Sequence, residues 1–217
     1  MPEKSPQIKM PKISNGAGME VIYEDENIKV IDKPAGIDAE KIPGRAHRLD
    51  KDTSGVLLTA KNKETLEFLQ KQFQERKTEK RYLALVVGNL KKEEGKIETL
   101  LGRSPSDRRK QKVFLPAEPD AEGKREAVTE YRVIERFKDY DLLEAKPLTG
   151  RKHQIRAHLA YLGHPVVGDK LYGFKNQPCP EGLKRQFLHA SSLKIQLPNG
   201  ETQKFESPLP KELRKII

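Results

Sequence analysis

An α+β fold, with a mixed and mainly antiparallel sheet flanked by helices, is predicted from three observations. Strand-like runs outnumber helical ones along the 217 residues. Most neighbouring runs are too close in sequence for the crossover that a parallel pair requires. Only two stretches carry apolar residues at clear helical spacing.

Residues 1–18 read as a flexible tail, because Pro2, Pro6, Pro11, Gly16 and Gly18 interrupt any period and apolar residues are sparse. Residues 19–217 read as one domain. From Met19 a short strand leads through an acidic turn at Asp25–Asn27 into a second strand, Ile28–Ile31, ended by Pro34 and Gly36. Val56–Thr59 is a further strand. Asn62 can cap a helix whose face carries Leu66, Leu69 and Phe73. Tyr82–Val87 is apolar on both faces and reads as a buried central strand ended by Gly88. Lys96–Leu101, Val128–Arg136 and Leu142–Pro147 are strands. Arg103–Lys112, polar and basic, is a phosphate-contacting loop or a flexible solvated one. Residues 153–162 form the second helix, with Ile155, Leu159 and Leu162 on one face, Gly163 at its C′ position and Pro165 beyond. Leu188–Leu197 and Thr202–Phe205 pair around a Pro198-Asn199-Gly200 turn.

Composition narrows the function. Lys plus Arg number 42 and Asp plus Glu 32, a formal net charge of +10, with 34% charged residues. No window reaches the ~18 to 20 apolar residues of a membrane helix, so no membrane partner is expected. Cys179 is the single cysteine, which excludes an intramolecular disulfide and a cysteine-based zinc cluster. The first residues lack the apolar run of a signal peptide, and a cytoplasmic protein is expected. The positive charge suggests a polyanionic partner, nucleic acid first, or simply a soluble basic protein.

Metal and nucleotide chemistry find no support. His153 and His158 lie five apart, about 140° around a helix, and cannot face one ion as an i, i+4 pair does. The chain's one cysteine is elsewhere and no acidic cluster lies beside His153 and His158; the other histidines are His47, His164 and His189. GxxxxGK[ST] and GxGxxG are both missing, as is a GxSxG elbow around Ser54. Two segments are denser in reactive groups. His47–Gly55 packs a histidine, an arginine, carboxylates and two hydroxyls just before a buried strand, either a site or a solvated turn. Leu148–His158 sets Arg151 at a helix mouth, with Arg156 and His158 further along. It is either an anion-binding surface or a basic solvated face.

At these residues the sequence resembles the RluA-type pseudouridine synthases. HRLDKDTSG with VLLTAKN matches the signature around the family's aspartate, and EKRYLALVVG matches its tyrosine-bearing strand. TGRKHQIRAHLAYLGHPVVGDKLYG matches its basic motif and helix, and QFLHASSLKIQLPNGE with ESPLP its C-terminal strands. The opening VIYEDENIKVIDKPAG is similar to the family's start. The resemblance covers about Met19 to Leu213, with its motifs in the family's order. One departure is the short Gly36–His47 connection, which lacks the family's small-residue and His-Pro stretch and any RNA contact made there.

The resemblance implies the family's catalytic core with a basic cleft, at residues 19–217 and without an S4-like module. It implies Asp50 as nucleophile, Tyr82 against the target uracil and Arg151 as the basic partner of Asp50, Arg156 being the other arginine of that motif. Substrate contacts are implied at His47, Arg48, Thr53, His153 and Arg156, Arg48 helping to hold the flipped-out state. The implied substrate is uridine in structured ribosomal or transfer RNA, acted on by a monomer with no obligatory protein partner. No cofactor or metal is expected, since the isomerisation moves neither an electron nor a phosphoryl group. One ionised carboxylate in a water-poor pocket suffices, and an adjacent arginine favours that charged form. A non-catalytic RNA-binding protein on the same scaffold is the alternative, and intact Asp50, Tyr82 and Arg151 argue against it.

Overall fold

The structure, a computed structural model, describes residues 19–217; the expected tail, residues 1–18, lies outside the described residues. Strands β1 (Glu20–Glu24) and β2 (Ile28–Lys33) form a hairpin. Asp25 shapes its turn: Oδ1 accepts from the backbone N–H groups of Asn27 and Ile28, both at 2.7 Å. β3 (Ser54–Ala60) is buried at every position. Helix α1 (Lys63–Gln74) begins where Asn62 accepts from the Thr65 N–H at 2.8 Å, and it lays Leu69 onto the sheet with Leu66 and Phe73 at the margin.

β4 (Glu79–Val87) pairs with β8 (Tyr140–Pro147), β8 with β7 (Arg125–Arg136), β7 with β5 (Glu94–Arg103) and β5 with β6 (Gln111–Phe114). β9 (Leu188–Gln196) enters between β3 and β4, parallel to the first and antiparallel to the second, and β10 (Thr202–Glu206) pairs with β9. All other strand pairs are antiparallel, so among the described residues the sheet is mixed and mainly antiparallel, as the spacing predicts.

Alternate residues of the central strands enter different core clusters. Val56 and Leu58 pack under α1, while Leu57 joins Ile31, Ala39, Ile42 and Leu49. Ala84 and Val86 pack with Ile155 and Leu159 of α2 (Gln154–Tyr161), while Leu85 and Val87 pack with Phe187 and with Leu213 of α3 (Lys211–Arg214). Both sheet faces are therefore covered, which is why Tyr82–Val87 reads as continuously apolar. Gly55 makes the parallel junction possible. Its φ is +116°, and a Cβ there would fall 2.2 Å from Ala190 O.

Two elements depart from the sequence reading: the short helix α3 is not foreseen, and a strand lies where a loop is expected. Arg103–Lys112 is not a single loop: β5 runs through Arg103, β6 starts at Gln111, and only residues 104–110 connect them. Phe114 is the one fully buried residue of β6, so the apolar signal was too thin to mark a strand. No described helix is long and apolar enough to cross a membrane.

Candidate active site

A cavity of about 570 Å³ opens beside β4, between the loop that precedes β3 and the turn that precedes α2. The loop is held from behind. Thr53 N–H donates to Asp50 O at 3.0 Å, closing the turn. The fully buried Lys33 donates from Nζ to Pro34 O, Ile37 O and Lys51 O, at 2.9, 3.0 and 3.1 Å. Gln186 Nε2 donates to Thr53 Oγ1 at 2.8 Å, and Arg185 Nη1 to Asp52 O at 3.1 Å. These bonds fix the backbone on both sides of Asp50 and leave its side chain at the cavity wall.

Asp50 Oδ2 accepts from Arg156 Nη1 at 2.9 Å. Arg156, almost wholly buried on α2, gives its other edge to Asp169, Nε to Oδ2 at 2.6 Å and Nη2 to Oδ1 at 2.8 Å. Asp169 Oδ1 also accepts from the N–H groups of Leu171 and Tyr172. Burial pushes the Asp169 carboxyl up, but the Arg156 hydrogen bonds and charge outweigh it and hold the group below the usual carboxylate range. The Arg156 guanidinium lies 5.0 Å from the centroid of the Tyr172 ring.

His153 sits in the left-handed region, φ 54°, immediately before α2. Its Nε2 is 3.9 Å from Asp50 Oδ1, and its Nδ1 is 3.1 Å from the Tyr172 hydroxyl. That hydroxyl accepts from the Gln111 N–H at 2.6 Å, joining β6 to the site. Burial lowers the His153 imidazole to about 4, so the ring is neutral at pH 7 and Arg156 supplies the positive charge beside Asp50.

The expected pairing of Asp50 with Arg151 is corrected here: Arg156 makes it. Arg151 precedes the helix, and its Nε donates to Glu126 O on β7 at 2.9 Å. Its backbone N–H donates to Gln154 Oε1, whose side chain also bonds Thr149 Oγ1, Thr129 Oγ1 and Val128 O. This polar anchor sets the rotation of α2, directing Arg156 toward the Asp50 loop and Arg151 toward β7. Both arginines still line the cavity.

Tyr82 lines the same cavity, on β4, which β9 alone separates in the sheet from β3, the strand that follows the Asp50 loop. Burial, and then the Asp50 charge, push its phenol above the ordinary value, so it keeps its proton at neutral pH. Among the other expected contacts, Arg48 reaches Glu40 at 3.0 Å on the exposed rim. His47 stacks on Phe73, 4.7 Å between centroids, and its Nε2 accepts from the Leu58 N–H at 3.1 Å. An accepting nitrogen requires a neutral ring, in line with burial lowering its pKa to about 3. Thr53 is buried, with its hydroxyl engaged by Gln186. His47 and Thr53 thus brace the wall through the same polar atoms that would otherwise meet a ligand.

Sequence reasoning missed Asp169, Tyr172 and Lys80. Asp169 and Tyr172 lie within the quoted GDKLYG segment, thirteen residues and more past Arg156, where helical spacing no longer connects them. Lys80 stands two residues before Tyr82 and lines the cavity. The lining holds six Lys or Arg side chains (Arg48, Arg76, Lys80, Arg151, Lys152 and Arg156) against one carboxylate, Asp50, among the described residues. Among these residues no group of three or more His, Cys, Asp or Glu is placed to hold a metal ion.

Comparisons with known proteins show the family and the fold. Residues 16–161 match the family described as RNA pseudouridylate synthase. Ribosomal large subunit pseudouridine synthase D of Borreliella burgdorferi is 39% identical over 96% of this chain and 70% of its own length. An uncharacterized RNA pseudouridine synthase of Aquifex aeolicus is 44% identical over 75% of this chain and 58% of its own. Curated relatives are thus spanned only in part. Among solved structures, human RNA Pseudouridylate Synthase Domain Containing 1 superposes with a TM-score of 0.76 at 28% identity, over 88% of this chain and 83% of that one.

Proposed function

The chain belongs to the RNA pseudouridylate synthase family, whose members are isomerases acting on RNA, and from that premise we propose that it converts uridine to pseudouridine in large-subunit ribosomal RNA with Asp50 as the nucleophile. The observation that carries the reading is the Asp50 carboxylate on the cavity wall, with Oδ2 fixed by Arg156 and Oδ1 without a hydrogen bond among the described residues. A carboxylate so held is pre-oriented and keeps one oxygen for the substrate.

The reaction breaks the N1–C1′ bond, turns the uracil, joins C5 to C1′ and exchanges the C5 hydrogen for one on N1. Atoms and electrons balance without a co-reactant. Attack by Asp50 on the uracil ring, attack on the sugar, or abstraction of a sugar proton are three routes that use the same free oxygen. The uracil must leave its stack, at a cost of a few kcal/mol in a stem. Stacking on Tyr82 returns ~1–3 kcal/mol of it. Bases already exposed in loops and junctions are the favoured targets. The cation-rich wall suits a structured RNA, and action on ribosomal RNA would fit a cytoplasmic enzyme.

Tritium release from ribosomal RNA labelled at uridine C5 tests the activity. Mapping pseudouridines in total RNA from a strain lacking this chain, against its parent, identifies the target. Modified transfer RNA in place of ribosomal RNA would overturn the substrate assignment. Tight RNA binding with no tritium released would favour a non-catalytic binder.

A further inference from the structure

The cavity's cations differ in their partners. Among the described residues Arg48 pairs with Glu40, Arg76 with Glu126, and Arg156 with Asp50 and Asp169. Lys80 forms no ion pair there. Its ammonium makes one hydrogen bond, to Thr149 O at 3.3 Å, and a Cβ on Gly150 would come within 3.8 Å of it. Nζ therefore lies against the Thr149–Gly150 turn with donors to spare. Withdrawal from water lowers the Lys80 pKa to about 8, with no acidic neighbour to restore it, and still leaves it mostly cationic at pH 7. A cation drawn partly out of water, on a cavity wall and without a counter-charge, is stabilised by an anion arriving from outside.

Position decides which anion. Lys80 and Tyr82 are alternate residues of β4 and both line the cavity, so their side chains leave the same face about 7 Å apart along the strand. That step is comparable to the separation of base and phosphate within one nucleotide. We propose that Lys80, with the Thr149–Gly150 turn, forms a subsite for one phosphodiester group adjoining the target uridine. The subsite rests on the reading above, in which Tyr82 receives the uracil.

The test uses the full chain and a short RNA stem-loop carrying the target uridine. Lys80→Gln is expected to weaken RNA affinity roughly tenfold, as for loss of one charge-assisted hydrogen bond. The slope of log affinity against log salt should fall by about 0.7–0.9, one phosphate's share. Lys80→Arg should restore both, and the loss should fall on KM rather than kcat. A neutral methylphosphonate placed 5′ or 3′ of the target uridine should, at one of the two linkages, cost the natural protein what Lys80→Gln costs and cost the Gln variant nothing further. Unchanged affinity and slope in Lys80→Gln, or additive losses at both linkages, would overturn the subsite. So would a fall in kcat and thermal stability with the salt slope intact, which marks a purely structural lysine. Natural protein that binds the RNA but releases no tritium overturns the isomerase reading instead, and the binding comparisons still decide Lys80.

Discussion

Arg156 is gripped by Asp169 along one edge, through hydrogen bonds of 2.6 and 2.8 Å. The two-point contact fixes the guanidinium plane and leaves Nη1 to face Asp50. Asp169 is therefore a positioning residue for the pair, although it does not line the cavity.

Arg156→Met is expected to be more damaging than Arg151→Met, in both turnover and stability. The first leaves a buried Asp169 carboxylate without its partner, a loss of about 3–5 kcal/mol. The second removes one bond to a backbone carbonyl at the half-exposed Arg151. Thermal melts with single-turnover rates on the same RNA check the order. Arg156→Lys should not rescue, because an ammonium cannot span both carboxylates in one plane. A larger loss for Arg151→Met would reverse the assignment.

Asp50→Asn should abolish isomerisation while the fold survives and RNA binding stays within a few-fold of normal. The amide keeps the shape and a hydrogen-bonding oxygen toward Arg156 but loses the charge that attack or proton abstraction needs. Asp52 is the control: it is exposed on the turn, and only its backbone oxygen is engaged, by Arg185. Asp52→Asn should retain most of the tritium release. Comparable rates for Asp50→Asn and the natural chain would end the nucleophile assignment.

His158 predicts a pH dependence of stability. It is fully buried, with Thr99 Oγ1 3.0 Å from Nε2 and Thr129 Oγ1 2.9 Å from Nδ1. Burial lowers its folded pKa to about 4, against about 6.5 in the unfolded chain. Between those values the unfolded state binds the extra proton, so stability is full above pH 6.5 and is lost as pH falls toward 4. The contribution is about 3 kcal/mol over that window. Denaturant unfolding at several pH values should show His158→Gln with a shallower slope, by about one proton. His153 and His47 act in the same direction, so some slope remains.

Tyr172→Phe removes the acceptor for the Gln111 N–H and the partner of His153 Nδ1. Leaving a half-buried donor unmet costs about 1–3 kcal/mol. Hydrogen exchange at Gln111 should quicken, and Tyr172→Leu should lower turnover further by withdrawing the ring from Arg156. Unchanged exchange at Gln111 would show that the hydroxyl does not hold β6.

Much of this was legible because the relevant physics is local. The Asn62 cap, the Leu66–Leu69–Phe73 face and the two-sided apolar run of β4 each follow from neighbours in sequence. The Asp50 turn is dense in reactive groups, but its composition alone fits a solvated turn equally, and the family resemblance is what singles it out. What stayed hidden depends on distant chain. Choosing between Arg151 and Arg156 requires the rotation of α2, which Gln154 sets through Thr129 and Val128 on β7. Asp169 acts from beyond the helix that carries its partner. β6 is held by pairing with β5 and by a tyrosine 61 positions away, and its own residues announce little.

The placement of β9 bears on how the protein is made. Within the sheet, the hairpin that precedes the helix α1 and the strand that carries Tyr82 are joined across β9, which is synthesised after both. The segments that precede β9 hold nearly every group of the candidate site, but not the strand that brings them to one wall. Competence therefore waits until Leu188–Gln196 slots into the open seam. Until then the unpaired edges of β3 and β4 lie bare, a window in which the emerging chain is open to wrong partners and to proteases.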